Sequence, residues 1–594
     1  MLERWIVKMK KSSLAIKKFN ELIIASSMTM AVSFVMLLID TIIAGNILGE
    51  NAISAVNIVT PIYAFANFIA GIIGLGTAYA YSEALGRYDK KQADNLWGQS
   101  VILAIASGVI MMVLMMLFKN KYFDFMDVSQ AVRIYAESYW KYEQFVVLLA
   151  PILYLLLTMI TNDYDGKLLL IANIAFFAGH IGFAILFTGK IGCGGTSLGM
   201  TIGSALCILV LCLHFFKKTN TLKFRWHCSF KDIAAIASIS IVDAIAYLCM
   251  GVMSFALNKF VTMRFGDTYL PVFTLAFSVM ESALLFDGIG DAVAPWANLY
   301  LGEKNSIAER KLISYALKVA AIEGLVICIG VFAGAPLILK LFNVTDPEIT
   351  PQSLVAVRIV ALTMPLTSIK YLFTSQYVYV RRIKMSACIT VANDLVVTTI
   401  LAVIFGLIFG IDGMWWGFVL ATPMVLAGFG IYILFKYGRD MFPFLVSNKN
   451  ESMFDESIYI NPSEAARVRD EVGLFLEKYN IESSAINKVM LLIEETFNII
   501  LQENKDKKII GEVSVRIENE GIVLNIKDTG RIFDVTDTKN GSIASENIIY
   551  RKMLELHLPR EYMIAAGCNR VSYTIEDMSE KSFSSDRYPQ WHRK

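Results

Sequence analysis

The chain has 594 residues, 56% of them hydrophobic and 18% charged, with a net charge of +2 and a mean hydropathy of +0.54. A soluble domain carries about 25% charged residues, and here the shortfall lies before residue 445. The near-neutral balance argues neither way about nucleic acid. No basic patch interleaved with aromatic residues points to one, so no nucleic-acid partner is expected. None of the eight cysteines forms a CxxC pair and the five histidines show no metal spacing, which argues against a zinc site or a disulfide framework.

The N-terminus, Met1 to Lys18, is basic and lacks a small-residue cleavage site. It reads as a cytosolic lead-in rather than a removed signal peptide. A spanning helix needs roughly 20 mostly apolar residues. Twelve such segments follow, near 22–47, 54–80, 97–118, 136–160, 167–188, 194–216, 232–258, 268–293, 312–340, 353–377, 386–409 and 413–436. The eighth departs most from the pattern, because it carries Glu281, Asp287 and Asp291. Lys and Arg gather in alternate loops: Arg87, Lys90 and Lys91; Lys217 to Lys231; Lys304, Arg310 and Lys311; Arg381, Arg382 and Lys384. The opposite loops are poorer, although Lys119, Lys121 and Arg133 blur the contrast. The positive-inside rule then places the basic loops and both termini in the cytosol.

The membrane part repeats itself. Gly49, Gly74, Gly76 and Leu85-Gly86-Arg87 are echoed by Gly266, Gly288, Gly290 and Leu301-Gly302-Glu303 at nearly equal spacing. Paired six-helix halves, about 15–218 and 230–440, suit alternating access around a central site. Ile39-Asp40-Thr41-Ile42-Ile43-Ala44-Gly45 with Leu48-Gly49, the two Leu-Gly loops, and Gly192-Cys193-Gly194-Gly195-Thr196-Ser197-Leu198-Gly199 together resemble motifs of the multidrug and toxic compound extrusion (MATE) transporters over about 15–440. The resemblance implies cation-coupled export of amphipathic, often cationic small molecules. The wider superfamily also flips lipid-linked sugars. It also implies that Asp40 takes part in ion or proton coupling, where the alternative is a helix-packing carboxylate bonded to hydroxyls. In sodium-binding members the fifth helix offers an Asn and an Asp and the sixth a Thr. Their places here fall near Ala178, Gly182 and Met200, and the region supplies His180 instead. Oxygen ligands suit a hard cation and imidazole does not, so coupling to protons rather than Na+ is expected. His180 is either a partner of Asp40 or a neutral histidine satisfied inside the bundle.

A carboxylate inside a bilayer faces a cavity or a partner because its insertion is costly. Asp243 and Glu281 are therefore expected in a central cavity. Asp287 and Asp291, four apart, share one helix face. Asp287 is expected in the cavity, whereas Asp291 and Asp394 are expected to be hydrated near cytosolic helix ends.

After 445 the pattern changes to amphipathic helices and alternating strands. Ala465 to Tyr479 reads as a helix burying Val468, Val472, Leu474 and Phe475, and Ala485 to Leu501 as a second helix. Val513 to Ile517 and Ile522 to Ile526 read as a hairpin, and Val571 to Ile575 as a later strand. Glu494-Glu495-Thr496-Phe497-Asn498, Asp528-Thr529-Gly530 and Gly567-Cys568-Asn569-Arg570 resemble the ATPase fold shared by histidine kinases and anti-sigma-factor kinases. That resemblance implies ATP and Mg²⁺, with Asn498 binding metal, Glu494 as base, and Asp528 with Gly530 at adenine. The glycine-rich lid expected near 540–550 reads Lys539-Asn540-Gly541-Ser542-Ile543-Ala544-Ser545-Glu546-Asn547. One glycine makes a poor phosphate cradle.

The expected fold is thus an α-helical polytopic membrane protein of twelve transmembrane helices, 1–445, followed by a cytosolic α/β sandwich of the histidine-kinase-like ATPase type, 446–594. The expected activity is proton-coupled export, with no cofactor for transport and a tail that senses nucleotide or docks a cytosolic regulatory protein. A lipid-precursor flippase and a membrane-anchored kinase are the alternatives.

Overall fold

The structure is a computed structural model. It describes residues 13–48, 50–125, 130–266, 269–341, 349–447, 452–505, 507–518, 521–537, 546–555 and 560–576. Within helices some side chains also lie outside the described residues, Asp243 among them. So do the basic lead-in as far as residue 12, Gly49, the hairpin turn at Asn519 and Glu520, and most of the degenerate lid.

Two units emerge, one of residues 18–304 and 309–448, the other of residues 1–17, 305–308 and 449–594. Among the described residues the larger unit contains helices and no strand. Its first half contains α1 (Leu14–Leu48), α2 (Glu50–Gly86), α3 (Lys90–Phe125), α4 (Gln130–Asn162), α5 (Gly166–Ile191) and α6 (Gly194–Cys212). Its second half contains α7 (Phe230–Phe265), α8 (Leu270–Glu281), α9 (Asp287–Glu303), α10 (Ser306–Leu341), α11 (Thr350–Ala361), α12 (Met364–Tyr379), α13 (Ile383–Val391) and α14 (Thr398–Tyr437). Among the described residues seven helices are long and apolar enough to cross a membrane, or eight if α11 and α12, bent by 44°, form one. One of the seven, Ile383–Tyr437, is broken at Gly410, whose φ of 77° is not helical. The acid-bearing eighth segment is also interrupted, with a 3₁₀ turn at Ser282–Phe286 between α8 and α9.

Helices in lipid gain little from hydrophobic association and depend on close packing at small residues. Glycines supply that packing at matched places in the two halves. Gly86 ends α2 and lies against Gly302 of α9, so that a Cβ on Gly86 would stand 2.6 Å from the Gly302 Cα. These are the glycines of the two Leu-Gly motifs, and the duplicated sequence meets itself there. At the same residue spacing, Gly74 packs on Tyr154 of α4 and Gly290 on Ser375 of α12. Gly108 packs on the Leu148 carbonyl and Gly324 on the Met364 carbonyl in the same relation. Gly192 (φ 74°) and Gly410 (φ 77°) end the fifth helix of each half and turn the chain into the sixth. Helices α3 and α10 expose Ile110, Leu117, Ile322 and Val326, an apolar surface fit for lipid.

The smaller unit has a five-stranded antiparallel sheet in the order β1-β2-β3-β5-β4: Met453–Tyr459, Ile510–Glu518, Gly521–Asp528, Cys568–Ile575 and Arg560–Ala565. Helices α15 (Pro462–Glu477), α16 (Ser483–Glu503) and α17 (Ile548–Glu555) accompany it. Asn461 starts α15 by accepting the Glu464 N–H at 2.9 Å, with Pro462 in the first turn. Alternate residues Val513, Val515, Ile517, Ile522, Leu524 and Ile526 form one sheet face and share a core with Val468, Val472, Val489 and Phe497. Leu474, expected in that core, is 60% exposed, and Leu476 is buried instead. The helical period places Leu476, not Leu474, one turn beyond Val472.

Replacing Gly302 with Ala forces a methyl into the Gly86 backbone. The expected cost is about 1–3 kcal/mol, read as a lowered Tm of the purified protein in detergent. Gly330→Ala, where a Cβ meets nothing within 4 Å, should leave Tm unchanged or slightly raised.

Candidate functional site

Three ionisable clusters and one cavity are described in the helical unit. The first centre lies inside the first half. Asp40 on α1 is buried, and His180 on α5 places Nε2 2.7 Å from its Oδ1. The Tyr139 hydroxyl on α4 donates to Asp40 Oδ2 at 3.0 Å. His180 reaches this position because α6 presses on α5 through glycines one turn apart. Cβ atoms at Gly199 and Gly203 would lie 2.6 Å from the His180 carbonyl oxygen and 2.9 Å from its backbone nitrogen. Two residues near this centre escape a reading of single motifs. Tyr139 and Glu143 are four apart on α4 and share its face. Ser197 Oγ donates to Glu143 Oε2 at 2.6 Å. Glu143 Oε1 is buried with no hydrogen-bond partner among the described residues. A carboxyl at mid-helix is the signal that could have found Glu143.

The cavity, about 600 Å³, lies between the two halves, within the range of small-molecule pockets. Its first-half wall is neutral and aromatic, with Tyr63, Asn67, Tyr79, Tyr154 and Phe176. Its second-half wall carries every lining carboxylate among the described residues: Glu281, Asp287, Asp291 and Asp394. Asp40 and His180 are not among the residues that line it. The expectation of hydrated helix-end carboxylates fails for Asp291 and Asp394, because both line the cavity. For Asp394 the reason is a residue that the sequence reading passed over. Lys370 on α12 is buried and places Nζ 3.0 Å from both Asp394 oxygens. The expected cavity position of Asp243 falls on a side chain outside the described residues.

A third cluster closes the loop after α4. His214 bonds Asp163 through Nε2 at 2.7 Å and Asp165 through Nδ1 at 2.9 Å. The Thr221 backbone N–H donates to Asp163 at 2.9 Å. Burial would raise the Asp165 carboxyl, but His214 and Lys217 outweigh it and hold it at about 2. This cluster fastens one connection and touches no cavity residue named above.

In the tail, Asp528 ends β3. Its Oδ1 accepts the Gly530 N–H at 2.7 Å and Asn569 Nδ2 at 3.0 Å. Asn569 also receives the Tyr562 hydroxyl, and Asn504 accepts the Arg531 N–H at 2.8 Å. Burial pushes the Asp528 carboxyl up to about 6, against the pull of Asn569 and Gly530. Glu494 is tied to Arg469 Nη1 at 2.6 Å. Asn498 is half-buried one turn later on α16 and is not hydrogen-bonded to Asp528. The structure thus joins Asp528, Gly530 and Asn569, but it bonds neither Asn498 nor Glu494 to them.

The MatE family model matches residues 25–186 and 244–404, more than half of the chain, and the chain belongs to that family. It is a multi-pass membrane transporter of a class that moves small molecules at the expense of ion gradients and needs no cofactor for transport. Solved structures share the fold. One is an outward-facing multidrug resistance MATE transporter of the MOP superfamily (21% identity, 71% of this chain and 94% of that one, TM-score 0.64). Another is a MATE protein in complex with MaL6 (21%, 71% and 95%, 0.65). A third is a MOP-superfamily transporter from Pyrococcus furiosus whose binding pocket is described as reversed in polarity (19%, 71% and 95%, 0.63). A search of curated proteins finds no significant match.

The Asp528 carboxyl carries a pH prediction. An unfolded Asp titrates near 3.8 and this one near 6. The folded tail therefore binds the extra proton, and that stability is fully present below about 3.8 and lost as pH rises through 6. The loss amounts to about 3 kcal/mol at one pKa unit per 1.36 kcal/mol. Asp528→Asn should slow hydrogen exchange of the β3 and β5 amides at pH 8, and much less at pH 5.

Proposed function

We propose that this protein is a proton-coupled antiporter that exports amphipathic or cationic small molecules. Residues 1–445 would cross the membrane twelve times, with both termini in the cytosol, and residues 446–594 would form a regulatory domain. The observation that carries the coupling assignment is the buried Asp40–His180–Tyr139 group. It contains a carboxylate and an imidazole 2.7 Å apart, both able to exchange a proton, with nitrogen where a sodium site wants oxygen. Its separation from the cavity lining suits indirect coupling. A proton at Asp40 changes how α1, α4, α5 and α6 pack, and packed helices transmit such changes. The four cavity carboxylates favour a cationic substrate over an anionic lipid-linked precursor, and the aromatic wall opposite suits an apolar body.

For the tail we infer a nucleotide-sensing or docking role for a cytosolic regulatory protein. Asp528, with the close backbone at Gly530, fits recognition of an adenine amino group, since the carboxylate still accepts hydrogen bonds. Asn498 would hold Mg²⁺ beside phosphate. Glu494 is engaged by Arg469, which speaks against a working base and against the signalling-kinase reading.

In reconstituted vesicles an imposed proton gradient should drive dye efflux, and a sodium gradient alone should not. Asp40→Asn should reduce the proton-driven rate by on the order of 10²-fold, the scale of a lost proton-transfer group. Full gradient-driven efflux in that variant would remove the assignment. For the tail, a fluorescent ATP analogue should bind the purified full-length protein with Mg²⁺, and Asn498→Ala should weaken that binding.

A further inference from the structure

We propose that Lys370 and Asp394 form a second ion-exchange element, in which a cationic substrate takes the Asp394 carboxylate and Lys370 gives up its proton. The proposal rests on the reading of the cavity as a site for organic cations, and it adds a source of exchanged protons separate from Asp40.

The geometry points to exchange rather than to simple packing. The Lys370 ammonium contacts both Asp394 oxygens at 3.0 Å, with side-chain exposures of 3% and 12%. Both residues line the cavity, and Lys370 is the one cation among the described residues that do so. Asp394 sits in a π-helical turn, Ala392–Val397, set between α13 and α14. Such turns cost hydrogen-bond quality and recur at functional sites. The groups that face the pair come from every side. Asn393 Nδ2 donates to Asp394 Oδ1 at 2.7 Å. The Tyr371 ring lies 3.9 Å from the Lys370 Nζ, and the Cys249 thiol on α7 is within reach of both charges. Glu281, Asp287 and Asp291 complete the second-half wall.

Charge balance then dictates the step. The resting pair is neutral, one ammonium and one carboxylate. A permanent cation that pairs with Asp394 leaves a buried ammonium without its carboxylate, and an uncompensated buried charge is strongly unfavourable. Breaking one N–H bond of Lys370 releases a proton to solvent and leaves a neutral amine. The site then holds cation and carboxylate and is neutral again. One proton leaves for each positive charge that enters, and the reverse step restores the pair. Lysine suits the task because its amine gives up a proton in buried settings, whereas the arginine guanidinium stays charged.

The test uses the purified full-length protein in weakly buffered detergent near pH 7.5. Tetraphenylphosphonium is the probe, because it is a permanent cation with no proton of its own. Wild type should release close to one proton per bound cation from this pair, read by a pH-sensitive dye. Lys370→Arg should lose it at least fivefold while keeping the ion pair. Lys370→Gln should also lose it and should bind the probe several-fold tighter, because Asp394 then has no ammonium partner. A purely structural role would weaken binding in that variant, so Lys370→Gln also serves should the arginine variant fail to fold. Asp394→Asn should weaken binding at least tenfold. Undiminished release from Lys370→Arg or Lys370→Gln, or weaker binding by Lys370→Gln, overturns the proposal while leaving the cationic-substrate reading intact. No binding to wild type overturns both.

Discussion

A charged group held away from water must find a partner, and the helical unit is organised around that constraint. Insertion of a carboxylate into a bilayer costs several kcal/mol unless a cavity or a partner offsets it. Asp40 has His180 and Tyr139, Asp394 has Lys370 and Asn393, and Glu143 has Ser197. Each partner arrives on a different helix from the acid it serves, except Asn393. The hydrogen bonds therefore join helices as well as satisfy atoms. A change of protonation at any of them would alter the attraction between elements, the route proposed above for coupling.

The two halves solve the packing problem alike and the charge problem differently. Glycines at equal spacing set the contacts of α2 with α9, α2 with α4, α9 with α12, α3 with α4 and α10 with α12. On that shared frame the first half buries an Asp–His pair off the cavity. The second half puts an Asp–Lys pair on the cavity wall. Counting by the glycine spacing, Lys370 occupies the place that Tyr154 holds in the first half, and Tyr154 also lines the cavity. The duplicated scaffold thus presents an aromatic hydroxyl on one wall and an ion pair on the other. A cationic amphiphile, the substrate proposed above, would lie there with its charge toward the second half.

Much of this was legible in the sequence, for definable reasons. Helix positions followed from apolar length, and the repeat from glycines, because both signals are local. Glu281 and Asp287 stood out because an ionisable residue in an apolar run is rare, and Asp40 and His180 through the resemblance to MATE motifs. The partnerships were not legible. Lys370 lies inside the tenth apolar segment, and nothing local marks its partner on the following one. They meet where Lys370 of α12 reaches the π turn that follows α13. Glu143 was hidden by a helix start rich in charge, from Arg133 to Lys141. Leu474 was misplaced because a run of large apolar residues near the end of α15 offers two helical registers, and packing on α16 chooses the one with Leu476.

The tail follows a related logic in water. Its sheet buries an ion pair, Lys527 with Glu512 at 2.7 Å, each about 1% exposed. That pair lies on the sheet face opposite the apolar core, since residues alternate along β2 and β3. A buried pair of this kind is a poor source of stability, but it fixes which residues can face each other and so resists a slip in register. The same register places Asp528 opposite Gly511 on β2 and Asn569 on β5. Glycine on one side lets Ile460 and Phe497 pack close against β2, and asparagine on the other donates to the Asp528 carboxylate. A shift of one residue would exchange both neighbours and bring the Lys527 side chain to the apolar face. The ion pair that guards the register therefore also preserves the Asp528 site.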